Sequence, residues 1–286
     1  MFAERTSAAP HAALCARSSG ACRYGRSCKY RHEPLHLTVA ALASLPAQPA
    51  LPPPRELPPA AAAGGVVSIA WPSRPRPSLA DELSLIPLLL LAGRAEAGRG
   101  RDLPAARLAA IEAASGAVGL PLRAAMSLRR LLIRQMAGNA AFFAAHAMGS
   151  ASGAKQHADS FEDVVAAFVR AAGATVVPEA ALRAAAAAAT PDVLLQPPAL
   201  INGALVAWLD CKTVYGAACL AAAAATPNSP VAKLRAQAAK YRAAYGPGGF
   251  VFLNGVSADF ANAAQLPDDV ILLDDSPLDV AALFDE

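Results

Sequence analysis

Two acidic residues and a lysine flank a predicted hairpin in the second half of the chain. Two short apolar runs are separated there by Asn202-Gly203, a pair that strongly favours a two-residue turn between antiparallel strands. Asp192 precedes the first run, and Asp210 and Lys212 end the second. Because side chains alternate along a strand, Asp210 and Lys212 share one face. Two carboxylates and an ammonium group at one end of a sheet suit a divalent metal ion and a water molecule to be activated.

The elements around this hairpin predict an α/β fold. A helix is expected from Ser160 to Gly173, and Glu162 lies in its first turn. A strand is expected at 175–177, followed by Glu179, and two further strands are expected at 250–253 and 269–274. A short closing helix is expected at 278–284. Helices and strands alternate in this way in proteins with a central sheet covered by helices.

A helix is also predicted at 230–245, between the hairpin and the later strands. Lys233, Gln237 and Tyr241 repeat every four residues in it, so they line one face. An ordinary amphipathic helix with a polar outer face is the alternative interpretation.

Taken together, these motifs resemble one known family. The residues are T-P-D at 190–192, W-L-D-C-K at 208–212, Y-G at 215–216, and the pair Gln237 and Tyr241. This combination resembles the TPD-motif nucleases of the PD-(D/E)xK superfamily, whose animal member is the codanin-interacting nuclease. The resemblance implies a restriction-endonuclease-like domain at 158–286, with a mixed central sheet flanked by helices.

The resemblance also implies roles for the motif residues. Asp192 and Asp210 would hold Mg²⁺ or Mn²⁺, together with the backbone carbonyl of Cys211, whose sulfur is too soft a ligand for Mg²⁺. Lys212 would orient the attacking water or stabilise the developing charge. The remaining catalytic candidates are Gln237 and Tyr241, which can meet the scissile phosphate in such nucleases, and a third acid. Glu162 and Glu179 both fit this third position; for Glu162, a plain helix-capping role is the alternative.

A predicted zinc finger occupies residues 1–36. Cys15, Cys22, Cys28 and His32 follow the spacing C-x6-C-x5-C-x3-H, and three thiolates with one imidazole make a closed, structural zinc site. Metal binding would supply the folding free energy of so short a segment, about 10 kcal/mol or more. The segment resembles the Cys-Cys-Cys-His fingers that bind RNA, although its first spacer is shorter and lacks the usual aromatic residue. The alternatives are a zinc finger that docks on a protein instead of RNA, and three cysteines that occur there by chance without binding zinc.

Two segments lie between the finger and the nuclease-like region. Residues 37–77 are rich in Pro and Ala and are predicted to be a linker, in which Trp71 is either part of a docking motif or a stray aromatic. Residues 78–150 predict a small helical domain, for which the helix-turn-helix type is one option. Its basic residues Arg129, Arg130 and Arg134 face either phosphates or solvent.

Composition limits the function further. The 286 residues carry a net charge of only +3, so any nucleic-acid surface must be local. We expect neither a secretory signal nor a membrane span. Three of the five cysteines lie close together near the N-terminus and two lie far away, which fits an intracellular chain with a metal site. The function expected is a Mg²⁺-dependent nuclease acting on DNA or RNA; the alternative is a non-catalytic adaptor of a nuclear complex. The resemblance adds a codanin-like protein partner and a nuclear location, with the cytoplasm left open as a second location.

Overall fold

A curled six-stranded mixed sheet with flanking helices forms the centre of the structure. The structure is a computed structural model that describes residues 66–94, 103, 105–137, 151–223 and 229–283. The strands are β1 (Ser68–Ile69), β2 (Val176–Pro178), β3 (Val193–Ile201), β4 (Ala204–Lys212), β5 (Gly248–Phe252) and β6 (Val270–Asp274). The α-helices are α1 (Leu79–Arg94), α2 (Ala105–Ala117), α3 (Leu122–Ala137), α4 (Ala151–Ala171), α5 (Glu179–Ala184), α6 (Ala218–Ala223), α7 (Pro230–Tyr245) and α8 (Phe260–Ala264), and a 3₁₀ helix covers Ala281–Leu283.

The sheet combines an antiparallel hairpin with a parallel half. The strand order is β1-β3-β4-β5-β6, and β2 pairs with the start of β3. β3 and β4 are antiparallel and form the predicted hairpin, which is confirmed. Asn202 and Gly203 have φ angles of 51° and 83°, the left-handed region that a two-residue turn of this kind needs. β4, β5 and β6 run parallel, as expected for strands reached through helical crossovers.

The start of β5 requires glycine because an indole ring lies against it. A Cβ atom built on Gly248 would lie 2.2 Å from a ring carbon of Trp208. The ring is held in place by its Nε1–H, which donates to the Gly246 carbonyl at 2.9 Å. The G-P-G-G sequence before the predicted strand is therefore a packing requirement as well as a turn.

Helices cover the sheet on both sides. α4 buries Phe161, Val165 and Val169 against one side. α7 buries Leu234, Ala238 and Tyr241 against the other side. Strand β4 lies between these two layers, so the residues at its end are held from both faces.

Helix α4 is longer than the sequence indicated. It begins at Ala151, so Ser160 lies inside the helix and is not its N-cap. Glu162 therefore lies in the fourth turn, and the alternative capping role is wrong. Residues 151–159 are mostly polar and include Gly153, so they carry no apolar stripe that would mark an earlier helix start. The predicted end is confirmed, because Gly173 has a φ of 92°.

The C-terminal part of the predicted linker is folded onto the sheet. β1 pairs in parallel with the end of β3, and Trp71 is only 1% exposed. The Trp71 indole donates to the Asp274 carbonyl at 2.8 Å, while the Asn202 side chain bonds both backbone groups of Trp71 at 2.8 and 2.7 Å. For 66–77 the linker prediction is wrong: a two-residue strand is too short to show any periodicity, and its pairing partner is distant in sequence. The earlier part of the linker lies outside the described residues.

The helical segment α1–α3 packs on the sheet domain. Leu89, Ile111 and Leu128 are buried in one cluster together with Tyr215 and Cys219 from the region after β4. Within the described ranges, no helix is both long and apolar enough to span a bilayer.

Candidate functional site

The hairpin brings the two predicted aspartates together. Val193 pairs with Leu209, so the next positions outward are Asp192, immediately before β3, and Asp210 in β4. The Cys211 backbone N–H donates to Asp192 Oδ2 at 2.7 Å, which ties the first carboxylate to the second strand. The carboxylate of Asp210 is nearly inaccessible, since the residue is 1% exposed.

Lys212 lies beside the aspartates, as the alternation along β4 predicted. Its ammonium forms an ion pair and hydrogen bond with Asp210 Oδ1, and its side chain remains 22% exposed. The ammonium also lies 5.4 Å from the centre of the Phe250 ring. One positive charge therefore lies beside two carboxylates at this end of the hairpin.

Helix α7 supplies a chain of hydrogen bonds from the opposite layer. Gln237 Nε2 donates to Asp210 Oδ2 at 2.8 Å and to Tyr241 Oη at 3.0 Å. Tyr241 Oη donates to the Thr190 carbonyl at 3.1 Å. The predicted face with Gln237 and Tyr241 therefore connects Asp210 to Thr190, which lies two residues before Asp192. Lys233, the third member of that face, is exposed and does not reach Asp210.

Glu162 and Glu179 both line an open cleft beside Asp192, with a volume of about 240 Å³. Glu179 forms an ion pair with Arg183 at 2.6 Å. Among the described residues, no hydrogen bond or ion pair engages Glu162. Burial raises the pKa of Glu162, and the charges of Asp159, Glu179 and Asp210 act in the same direction. Of the two candidates for a third acid, Glu162 is the one whose carboxylate is uncommitted.

The aspartates are poorly solvated and repel one another. Burial raises the pKa of Asp192 to about 7; the charge of Asp210 adds to this rise, and the Cys211 N–H opposes it. Burial also raises the pKa of Asp210, although Lys212 opposes the rise. The site therefore lacks positive charge when both carboxylates are ionised.

The Cys211 side chain points away from these groups, as predicted. It packs against the apolar layer beneath α4, and burial raises the pKa of its thiol well above the ordinary value. Its backbone N–H serves Asp192, and the role predicted for its carbonyl as a metal ligand stays a prediction.

The carboxylate oxygens lie near one another but do not form a preassembled metal-binding site. Across the described part of the chain, no group of three or more His, Cys, Asp or Glu residues is placed to hold a metal ion. Lys212 and Gln237 engage both oxygens of Asp210, and the Cys211 amide engages Asp192. The acids are thus arranged by hydrogen bonds from their own chain.

Two buried side chains that support this region were missed by the sequence reasoning. Glu82 of α1, 0% exposed, accepts hydrogen bonds from the backbone N–H groups of Ala218 and Cys219 at 3.2 and 2.8 Å. Ser127 Oγ of α3 accepts from the Tyr215 N–H at 3.0 Å. Glu82 lies in the first turn of α1, where acidic residues are common, and no local signal in the sequence indicates a partner 136 residues away.

Several predicted residues cannot be placed. The zinc quartet Cys15, Cys22, Cys28 and His32 lies outside the described residues, and so does the side chain of Arg134. The nearby Arg130 donates to the Met126 carbonyl of its own helix at 3.3 Å. The zinc finger and the phosphate-facing role of the basic trio therefore stay predictions.

Comparison with known proteins supports one assignment. Residues 144–276 match the family model described as "Protein of unknown function TPD sequence-motif", which covers just under half of the chain. The match supports the TPD family for this part of the chain, which contains the hairpin, both aspartates and α7. No curated protein and no solved structure matches the chain.

Proposed function

We propose that the chain is a metal-dependent nuclease of the PD-(D/E)xK type that hydrolyses phosphodiester bonds in nucleic acid. The observation that carries this proposal is the convergence of Asp192, Asp210 and Lys212 at one sheet end, braced by Gln237. The raised pKa of Asp192, about 7, adds support because strongly perturbed groups in a cleft are typical of functional sites.

The chemistry of the donors fits Mg²⁺ or Mn²⁺. Asp192 and Asp210 would hold the ion with the Cys211 carbonyl, and Glu162 is the third acid that we favour. These are the hard oxygen ligands that Mg²⁺ prefers, and the carboxylates lack the positive charge that a divalent ion carries. When bound, such an ion polarises a phosphoryl oxygen and lowers the pKa of a water molecule.

The chain's own groups would orient the reaction. Lys212, partly exposed beside Asp210, is suited to orient the attacking water and to offset negative charge that develops on the phosphate. Gln237 would keep Asp210 in a single orientation through its 2.8 Å hydrogen bond. Tyr241, fixed on the Thr190 carbonyl, would hold Gln237 in turn and so acts as a positioning residue.

The predicted finger would bring the enzyme to its substrate. A zinc-bound Cys15, Cys22, Cys28 and His32 would present the basic and aromatic residues between them to RNA or another nucleic acid. A nuclear location and a codanin-like partner remain part of the proposal through the family resemblance alone.

The test is cleavage of labelled single-stranded, duplex and branched DNA and RNA, in Mg²⁺ or Mn²⁺ and in EDTA. We expect metal-dependent cleavage by the wild type that drops at least about 100-fold in Lys212→Ala, the scale on which electrostatic stabilisation acts. Asp163→Asn, which alters an exposed carboxylate on the cleft rim, should retain activity. Circular dichroism checks that each variant folds. Binding without cleavage of any substrate would instead favour the non-catalytic adaptor, and full activity of Lys212→Ala would contradict the site.

A further inference from the structure

Helix α7 carries an unusual excess of positive charge. Its sequence, P-V-A-K-L-R-A-Q-A-A-K-Y-R-A-A-Y, contains four basic residues and no acidic one. The whole chain has a net charge of only +3, so the positive charge of this single helix exceeds the net charge of the chain. Its basic residues fall into two pairs on different flanks of the helix.

The two arginines are turned toward the body of the protein. Arg242 forms an ion pair with Asp269 at 2.6 Å, and Arg235 donates to Gln265 at 2.5 Å. At about 100° per residue, both lie about 140–160° around the helix from Gln237. They therefore serve the packing of the region between α8 and β6.

The two lysines flank the site. At about 100° per residue, Lys233 and Lys240 lie about 40° and 60° from Gln237, both on its solvent side. Both are exposed, and neither has a hydrogen bond or ion pair with any described residue. Ala244, also exposed, falls in the same stripe. Because Gln237 contacts Asp210, this lysine pair borders the acidic site directly.

The opposite wall of the site has the reverse character. The cleft lining there includes Asp159, Glu162, Asp163 and Glu179. Of the cations on that side, Lys155 pairs with Asp159 at 2.5 Å, and Arg183 pairs with Glu179. Arg170 also lines the cleft, but the carboxylates there outnumber the cations. A polyanion is repelled by that wall and attracted to α7.

We propose that Lys233 and Lys240 form a track for the phosphate backbone of a nucleic-acid strand, so that the strand enters the site along α7. Their seven-residue separation is about 10 Å along the helix, comparable to the axial rise of about three nucleotides, ~3.4 Å each, in a duplex strand. The proposal rests on the proposed function for the identity of the scissile bond but not for the binding surface itself. An acidic protein segment is the competing occupant.

The experiment compares two double variants of the full chain with equal charge change. Lys233→Gln/Lys240→Gln removes the track, and Lys155→Gln/Arg183→Gln removes two paired cations from the acidic wall. Binding to labelled single-stranded and duplex DNA and RNA is measured in EDTA between about 50 and 200 mM salt. A second set carries Cys22→Ser/Cys28→Ser, which eliminates zinc-dependent binding by the N-terminal segment.

We expect the track variant to bind about tenfold more weakly at the lowest salt and to lower the slope of log affinity against log salt by about 1.5, as for two lost phosphate contacts. The control double variant should change affinity less than about twofold. Equal losses in both variants, unchanged binding in the track variant, or binding of polyglutamate but not of nucleic acid would overturn the track. Because cleavage is not part of this assay, a reduced slope in an inactive protein would sustain the track while removing the nuclease proposal. Normal cleavage with an unchanged salt slope in the track variant would remove the track and sustain the nuclease proposal.

Discussion

Replacing Asp192 by asparagine separates the charge at the site from its hydrogen bonding. The asparagine Oδ1 can still accept the Cys211 N–H that Asp192 accepts at 2.7 Å, but it carries no charge. Asp192 owes its raised pKa first to burial and then to Asp210. Removing its charge should therefore stabilise the metal-free protein wherever the wild-type carboxyl is ionised.

The pH dependence follows from the two pKa values of Asp192. Its ordinary value is 3.8, and in the folded chain the pKa is about 7. Between these values the folded state binds the proton more tightly than the unfolded state, so the free energy of unfolding falls as the pH rises through the window. From pH 5 to about 7 the free energy of unfolding can fall by at most ~3 kcal/mol, at about 1.4 kcal/mol per pH unit. Coupling to Asp210 and residual solvation reduce our expected value to about 1–2 kcal/mol.

The measurement is urea unfolding of wild type and Asp192→Asn at pH 5 and pH 8 in EDTA. We expect the variant to gain about 1–2 kcal/mol relative to wild type between the two pH values. The exposed Asp163→Asn serves as the matched control and should show no such gain. Mg²⁺ at pH 8 should then raise the unfolding midpoint of the wild type and not that of Asp192→Asn. A pH-independent difference between wild type and variant, or a relative loss at pH 8, would refute the electrostatic reasoning.

Two further substitutions test the packing around the site by chemical denaturation. Gly248→Ala should destabilise the protein by about 2–3 kcal/mol, because the new methyl group overlaps the buried Trp208 ring. As a control, Gly116→Ala should stabilise the protein by about 0.5–1 kcal/mol, because Gly116 lies in a helix with open space around it. Glu82→Ala should cost about 1–3 kcal/mol, since two buried N–H groups lose their acceptor, while the exposed Glu112→Ala should be nearly neutral. A neutral Gly248→Ala or Glu82→Ala would show that the neighbouring chain can relax.

The local parts of the site could be predicted because each depends on short-range geometry. Asn202-Gly203 supplies the positive φ angles of the turn, and alternation along β4 puts Asp210 and Lys212 on one face. A four-residue spacing puts Gln237 and Tyr241 on one side of α7, and the structure confirms this face.

The remaining features depend on contacts between distant residues. Trp71 meets Asp274 across 203 positions, and Glu82 meets Cys219 across 137. Neither pairing leaves a periodic pattern in the sequence. The linker interpretation of 66–77 failed for this reason. The start of α4 was misplaced because residues 151–159 are mostly polar and have no amphipathic stripe.

The sequence by itself determined which groups can take part in chemistry, since residue type, turn preference and helical spacing are local properties. The tertiary structure alone decided their electrostatic state: the pKa of Asp192 near 7, the commitment of Glu179 to Arg183 and the open Glu162. It also decided which lysines border the site and which cations are neutralised. Burial and charge separation depend on the packing of whole helices against the sheet, and these long-range distances are not encoded in the spacing of neighbouring residues.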